Sequence, residues 1–381
     1  MRRLLVTCEY PPITGGQGSY LEGLWRYLDQ KENLLLIPLS CRGAQSARPN
    51  LAYMRVSTSE RWVPRFARIF SVFISMLRHC ITFRPHEIHA GQLIAGGACA
   101  LLVRIFLRIP YCVYCYGADV QEFSRYRLAR VAIRLIFARS RLIITISNYT
   151  ADFIRKHYDP LVPIAIVAPC VDERFFTYDT GVLDGLCRRY PVEGKKVILT
   201  VGRLVERKGH DVVIRSLPKL LAKHPNIHYM IAGDGPYRRI LEALVNQYGV
   251  NGAVTFCGRI PPSQLPSVYH LATAFVMVPR AIERKGDVEG FGIVFIEANA
   301  SGLPVVASRS GGVPDAVEHE TNGLLVDDPT DMHEVAAALD RMLSDEDLRL
   351  KLASNAVAWA RKFSRQAQKK AWFEAVGASN A

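Results

Sequence analysis

Two glutamates, Glu289 and Glu297, stand eight positions apart and bracket a glycine-bearing turn, Gly290-Phe291-Gly292, which runs into the apolar stretch Ile293-Val294-Phe295-Ile296. Glycines there let the backbone come close to a ligand. The apolar stretch reads as the start of a helix, and the free N–H groups of a helix start favour an anion such as a diphosphate. A carboxylate on either side can then hold the hydroxyls of a sugar and of a ribose, so the parts needed to grip a nucleotide-sugar sit in nine residues. The plainer account of the same residues is a polar loop entering an amphipathic helix, since surface carboxylates are common.

A second cluster lies upstream. Lys195–Val201 reads as a buried strand, Gly202-Arg203-Leu204-Val205-Glu206-Arg207-Lys208-Gly209 follows it, and a helical pattern runs from His210 to about Lys223. This strand–turn–helix unit puts Arg203, Arg207 and Lys208 near a helix start. Arg offers a planar fork for phosphate oxygens and Lys a mobile point charge. Cations there oppose the helix dipole, which makes bound anions a natural reason for them; solvated loop charge is the alternative.

These features resemble the retaining family 4 glycosyltransferases of the GT-B fold. The resemblance rests on E-x7-E at Glu289 and Glu297, G-R-L-x-x-x-K-G at Gly202 to Gly209, and Gly15-Gly16 after the first strand. Further matches are AGDGP (Ala232 to Pro236), F-x-G-R-I (Phe256 to Ile260) and SGGVPDAV (Ser310 to Val317) followed by NGLLV. The stretch KGDVEGFGIVFIEANASGLPVVAS looks most like the branch of phosphatidylinositol mannosyltransferases and polysaccharide mannosyltransferases. The resemblance implies an α/β chain of two Rossmann-like domains facing across a cleft: an acceptor-side domain over 1–172, a donor domain over 173–362, and a last helix, 363–381, packing back on the first domain.

It also implies site roles. Arg203, Lys208 and the N–H groups near Phe291, Gly292 and Ile293 would hold the diphosphate, Glu289 the donor sugar and Glu297 the ribose. Backbone near Arg259 and Ile260 would face the base, and Gly15 and Gly16 would approach the phosphates. Asp119 would serve the acceptor side, with helix capping as its alternative. Relatives commonly carry His where this chain has Tyr116, so no imidazole role carries over, although a phenol can still hydrogen-bond a sugar hydroxyl. No DxD sits at a strand end, and Asp345-Glu346-Asp347 fits helix-start acidity. The implied enzyme therefore uses no catalytic metal and no cofactor beyond its donor, first GDP-mannose and next a UDP-sugar. The leaving phosphate would take the acceptor's proton.

The elements behind these residues alternate. In the first half strands are expected at Arg3–Cys8, Leu34–Leu39, Glu87–Ala90, Tyr111–Tyr116 and Leu142–Ser147. In the second they are expected at Val197–Val201, His228–Ala232, Val254–Cys257, Ala274–Val278, Val305–Ser308 and Leu324–Val326. Helical patterns between them imply parallel sheets with crossover helices, and Ala168–Thr177 has the composition of a linker. At 381 residues, 49% hydrophobic and 22% charged, the chain can build two globular cores. The apolar start Met1–Cys8 ends at Glu9-Tyr10-Pro11-Pro12, too short for a signal sequence. Leu93–Leu107 is interrupted by Gly96, Gly97 and Arg104 and reads as a buried helix. Nine scattered cysteines favour reduced thiols, and Cys112-x-x-Cys115 lies in a strand with no second pair to complete a zinc site.

Charge is uneven. Residues 1–175 hold 23 Lys+Arg against 12 Asp+Glu, a net of +11, and residues 176–381 hold 25 against 23, a net of +2. Arg61–Arg84 interleaves arginines with Trp62, Phe66, Ile69, Phe70 and Phe73. Arg125–Arg141 spaces Arg127, Arg130 and Arg134 helically, with Leu128, Val131 and Leu135 available to another face. Basic amphipathic helices suit an anionic membrane surface, so a peripheral enzyme on the cytoplasmic face, acting on a lipid-linked or polysaccharide acceptor, is expected. No nucleic-acid module is present. Two other readings use the same fold: a nucleotide-sugar epimerase, which would need no acceptor surface, and a non-catalytic nucleotide- or membrane-binding protein, which would not need both glutamates with Arg203 and Lys208.

Overall fold

The computed structural model describes residues 1–10, 16–26, 28–29, 31–38, 51–54, 65–190 and 192–378. The chain divides into two compact units, one of Met1–Cys170 with Gln368–Ala381 and one of Val171–Ala367. The first contains β1 (Arg3–Val6), α1 (Gly16–Trp25), β2 (Asn33–Pro38), β3 (Leu51–Met54), α2 (Arg65–Phe83), β4 (Glu87–Ala90) and α3 (Ala95–Leu107). It continues with β5 (Tyr111–Cys115), α4 (Ala118–Ser124), α5 (Arg127–Arg139), β6 (Leu142–Thr145), α6 (Asn148–Tyr158) and β7 (Ile164–Ile166). Its parallel sheet runs β3-β2-β1-β4-β5-β6-β7. β4, β5 and β6 are buried along their whole length, as strands covered on both faces by crossover helices must be.

The second unit holds α7 (Thr180–Arg189), β8 (Lys196–Val201), α8 (His210–Lys223), β9 (Ile227–Ala232), α9 (Arg238–Gln247), β10 (Val254–Gly258) and α10 (Leu265–Tyr269). It goes on with β11 (Ala274–Val276), α11 (Ile293–Ala300), β12 (Val305–Ser308), α12 (Val313–Ala316), β13 (Gly323–Val326), α13 (Met332–Ser344) and α14 (Glu346–Arg361), and α15 (Arg365–Ala378) follows. Its sheet runs β10-β9-β8-β11-β12-β13, all parallel. The helical stripe of α8 buries Val213, Leu217 and Leu220 in one cluster with Leu339 and Leu343 of α13. Each such side chain is worth about 1.5–3 kcal/mol of transfer free energy.

The expected strands are all present, and two more occur. β3 and β7 were not expected: β7 is only three residues long, close after Pro160 and Pro163, and each lies at an edge of the first sheet. Val171 already belongs to the second unit, its N–H bonding Phe363 O at 2.9 Å. α15 packs on the first unit's strands: Trp372 Nε1 donates to Tyr114 Oη at 2.7 Å, and Arg141 donates to Val376 O at 3.1 Å. Beside it, at the N-terminal end of the sheet, Glu87, His89 and Cys112 bring ligand-type atoms within 4.8 Å of one another. Arg141 Nε binds Glu87 at 2.6 Å and Arg3 Nε stands 4.0 Å from it, so guanidinium groups already supply the positive charge there. Burial alone would raise the Glu87 carboxyl, but His89 first, then the Cys112 thiol and Arg141, overcome it and hold it at about 2.

α3 is a helix as expected but is not buried throughout. It lies against both neighbours, Cys99 Sγ meeting Ile69 O of α2 at 3.4 Å and Gly97 facing Ile136 of α5. Its second half leaves Ile105 and Phe106 exposed, Phe106 at 69%. Leu128, Val131 and Leu135 of α5 are likewise exposed among the arginines, while Ile133, Ile136 and Phe137 make the buried face. Arg61 and Trp62 fall outside the described residues. No helix among the described residues is long and apolar enough to cross a membrane, and Cys112 and Cys115 form no disulfide.

Candidate active site

In a parallel sheet the ligand crevice forms beyond the carboxyl ends of the strands where their order reverses. In the second unit that point lies between β8 and β11. β8 leads into Gly202–Val205, a 3₁₀ turn at Glu206–Lys208, and then α8; β11 leads through residues 277–292 into α11. The AGDGP segment after β9 locks the first of these loops. Leu204 N donates to Asp234 O at 3.0 Å and Tyr237 N to Leu204 O at 3.0 Å. Gly233, at φ 148, sits so close that a Cβ would land on the Gly202 carbonyl oxygen, which is why no side chain fits there. The SGGVPDAV segment fixes the other loop, Gly312 N donating to Glu289 O at 2.8 Å.

These loops bring Lys208 and Glu289 together. Lys208 Nζ lies 2.7 Å from Glu289 Oε2, Arg207 pairs with the same oxygen, and Arg207 Nε reaches Asp287 at 2.9 Å. Burial would raise the Glu289 carboxyl, but Lys208 and Arg207 overcome it and hold it at about 2. The two partners respond oppositely. Glu289 answers to two cations, whereas Lys208 shares one carboxylate with Arg207, and burial leaves its own charge disfavoured and its pKa lowered. Behind them His210, 1% exposed, has no hydrogen-bond partner on either ring nitrogen among the described residues. Burial first, then Lys208 and Arg280, push it down to about 3 and keep it neutral.

α11 is entered through Gly292, whose φ of 93 and closeness to the Phe295 ring exclude a Cβ, and no side chain caps the helix. The first N–H groups of the helix, Ile293 included, have no acceptor within it. Phe291 is buried with its ring 5.4 Å from that of Phe363, so its side chain anchors the loop in the core and leaves ligand contact to the backbone. Glu297 lies one turn past Ile293 on the same face. Tyr269 donates to its Oε2 at 2.8 Å, yet burial dominates and carries the carboxyl up to about 7. Arg203 is exposed and makes no ion pair among the described residues. At the end of β10, Arg259 is exposed and Ile260 half-buried.

In the first unit Gly15 lies outside the described residues, and Gly16 opens α1 with open space where a Cβ would be. Tyr116 turns its phenol into the fold. It is buried against Tyr20, 5.8 Å between rings, and donates to Gly91 O at 2.9 Å, so the hydroxyl proton is spent inside the fold. Asp119 lies in the first turn of α4, which Gly117 begins without a side-chain cap, and ties down the preceding loop, Oδ1 accepting from Tyr116 N at 2.9 Å, while Oδ2 is buried with no hydrogen-bond partner among the described residues. Burial raises its carboxyl to about 6 against several backbone donors. Sequence reasoning did not single out Tyr269, Asp287 or His210. Tyr269 meets Glu297 28 positions on, Asp287 meets Arg207 from the other loop, and burial sets His210 apart, none of which sequence spacing displays.

Family models match both units: one described as Glycosyltransferase Family 4 over residues 14–175, and one described as Glycosyl transferases group 1 over residues 189–359. The GDP-mannose-dependent alpha-(1-6)-phosphatidylinositol monomannoside mannosyltransferase of Mycolicibacterium smegmatis is 31% identical over 350 residues, 90% of this chain and 89% of that protein. Among solved structures, sucrose-phosphate synthase of Thermosynechococcus elongatus superposes with a TM-score of 0.83 at 20% identity, covering 99% of each chain. Anabaena HepE, solved with UDP and glucose, gives 0.79 at 18% identity, again with 99% of each chain covered. At these identities the structures speak for the fold alone. With the strand order, the paired loops at the β8/β11 reversal, family models over both units and a relative 31% identical over 90% of this chain in agreement, the chain belongs to the family 4 glycosyltransferases of the GT-B fold, in their mannosyltransferase branch.

Proposed function

We propose that this glycosyltransferase moves mannose from GDP-mannose, with a UDP-sugar as the next choice, to a lipid-linked or polysaccharide acceptor, with retention and without a catalytic metal. The observation that carries the reading is Lys208: a lysine at the strand-order reversal whose charge burial disfavours and which shares its one carboxylate with Arg207. A donor diphosphate arriving there relieves that deficit, and Arg203, exposed beside it, adds a second cation. The N–H groups of Gly292 and Ile293 complete the anion site, Glu289 takes the sugar hydroxyls and Glu297 the ribose. Backbone near Ile260 receives the base. In the step itself the bond between the anomeric carbon and the phosphate oxygen breaks as the acceptor oxygen bonds the same face. The acceptor proton passes to the leaving phosphate, so no protein base is required.

The acceptor class follows from two supports. The mycobacterial relative is named for a phosphatidylinositol monomannoside, and the first unit exposes apolar and cationic residues together on α3 and α5, including Phe106, Leu128, Arg104, Arg127 and Arg130. Such a surface suits the anionic cytoplasmic leaflet. Incubation with a panel of nucleotide-sugars, with and without membrane lipid extract, tests the reading. Mannosylated lipid formed only when both GDP-mannose and lipid are present supports it. Epimerised free donor in the absence of lipid would replace it with the isomerase reading, and donor binding without turnover would leave a non-catalytic protein.

A further inference from the structure

Tyr269 closes α10 and is fully buried. Its ring is held between Phe275, stacked at 5.8 Å and 27°, and Phe175, edge-on at 5.6 Å. Its phenol donates to Glu297 Oε2 at 2.8 Å. Glu297 itself sits on α11, a different element, so this single bond ties the carboxylate to a rigid aromatic stack. We infer that Tyr269 is the positioning residue of the donor site, occupying Glu297 Oε2 and favouring the ionised carboxylate, with Oε1 left to the ribose hydroxyls. The inference rests on the assignment of Glu297 to the ribose and goes beyond it by naming what makes that carboxylate competent.

The chemistry requires a donor at that spot. A ribose diol gives up its hydrogens best to a carboxylate; a protonated Glu297 would offer a hydrogen where an acceptor is needed. Burial works against the ionised form, and Asp172, from the segment before the 3₁₀ turn at Glu173–Phe176, works in the same direction. Opposing it are the Tyr269 phenol first, then the more distant charges of Lys208 and Arg174. Of these only Tyr269 touches the carboxylate, and removing its hydroxyl alone leaves the aromatic packing in place.

Tyr269→Phe makes that removal. The readout is binding of GDP-mannose without acceptor, or of UDP-glucose if the donor panel selects it, by calorimetry from pH 5.5 to 8.5. The diphosphate of an intact nucleotide-sugar is a diester and does not titrate in that range. Wild-type affinity is expected to fall as pH drops through about 7, where Glu297 gains its proton. In Tyr269→Phe this falling limb moves to higher pH, giving about tenfold weaker binding near neutrality, the size of a lost hydrogen bond to a charged group, with recovery toward pH 8.5. Incorporating 3-fluorotyrosine at position 269, a stronger donor, moves the limb to lower pH. Glu297→Gln should abolish the limb. If Glu297→Gln keeps it, the ribose assignment is wrong; if Glu297→Gln removes it but Tyr269→Phe superimposes on wild type, or weakens binding equally at every pH, Tyr269 is only a packing residue and the inference is overturned.

Discussion

Replacing Glu289 by Gln should destabilise the second unit by an amount that depends on pH. The carboxyl moves from 4.5 to about 2 because Lys208 and Arg207 favour its charge, and that displacement corresponds to roughly 3 kcal/mol. A lowered carboxyl pKa gives stability that is fully present above the unfolded value and is lost as pH falls through the folded one. The contribution is therefore complete at pH 7 and reduced to between about 1 and 2 kcal/mol at pH 3. Gln keeps the shape and one acceptor but not the charge, so the variant should lose most of this at neutral pH and progressively less in acid. Lys208, whose charge burial already disfavours, would shed its proton more readily beside an uncharged amide. Urea unfolding followed by amide exchange in α8 and α11 isolates the second unit and reads the difference at pH 7, 5 and 3. A Glu289→Gln protein as stable as wild type at pH 7 would show that burial and attraction cancel. A loss of the same size at pH 3 and pH 7 would assign Glu289 a packing role, and either result would refute the electrostatic account.

Glu297→Gln should act in the opposite sense. Its carboxyl is raised from 4.5 to about 7, so its stabilising contribution is present below 4.5 and lost as pH rises through 7; a neutral Gln should leave stability unchanged in acid and raise the unfolding free energy from urea titration at pH 8 by up to about 3 kcal/mol, while weakening nucleotide binding. Lys208→Ala and Arg203→Ala should each reduce turnover on the order of 10²-fold, with wild-type activity surviving EDTA; activity lost to the chelator and restored by manganese or magnesium would reverse the assignment of the diphosphate to these cations. Replacing Arg127, Arg130 and Arg134 by Gln should weaken co-sedimentation with anionic vesicles at low salt, each residue being worth about 1 kcal/mol, and leave soluble-donor binding unchanged. Wild type that ignores anionic vesicles at every salt concentration would remove the membrane from the account.

The parts of the fold legible in the sequence were those where one segment decides its own structure. β8 and α8 were placed because an apolar run and a helical stripe meet at a glycine turn, and both patterns are local. β7 was invisible for the same reason: three residues shortly after two prolines carry no period, and only pairing with β6 makes them a strand. α5 was legible as a helix but not in its orientation. Leu128, Val131 and Leu135 fit an apolar stripe as well as Ile133, Ile136 and Phe137 do, and only packing against α3 decides which of them is covered. Tyr116 was open to a functional reading because the loop around it fits the family, whereas its partner Gly91 comes from another strand end.

The site divides along the same line. Spacing identified Glu289 and Glu297 as a pair and made them look equivalent, two glutamates at either end of one turn. The fold makes them chemically unlike. Glu289 meets Lys208 and Arg207, delivered by a loop 82 positions upstream in the Arg207 contact, and stays charged. Glu297 meets a phenol 28 positions upstream and an otherwise desolvating environment, and sits near the midpoint of its titration at neutral pH. A carboxylate that must answer positive charge developing on a sugar benefits from being ionised at every working pH, because only an interaction present in the transition state accelerates the step. A carboxylate that holds a ribose acts in binding alone: the hydroxyls donate to its ionised form and favour it, so protonation weakens affinity without touching the chemical step. The difference in their neighbours is thus itself an argument for different roles, and it could not have been read from the nine residues that contain them both.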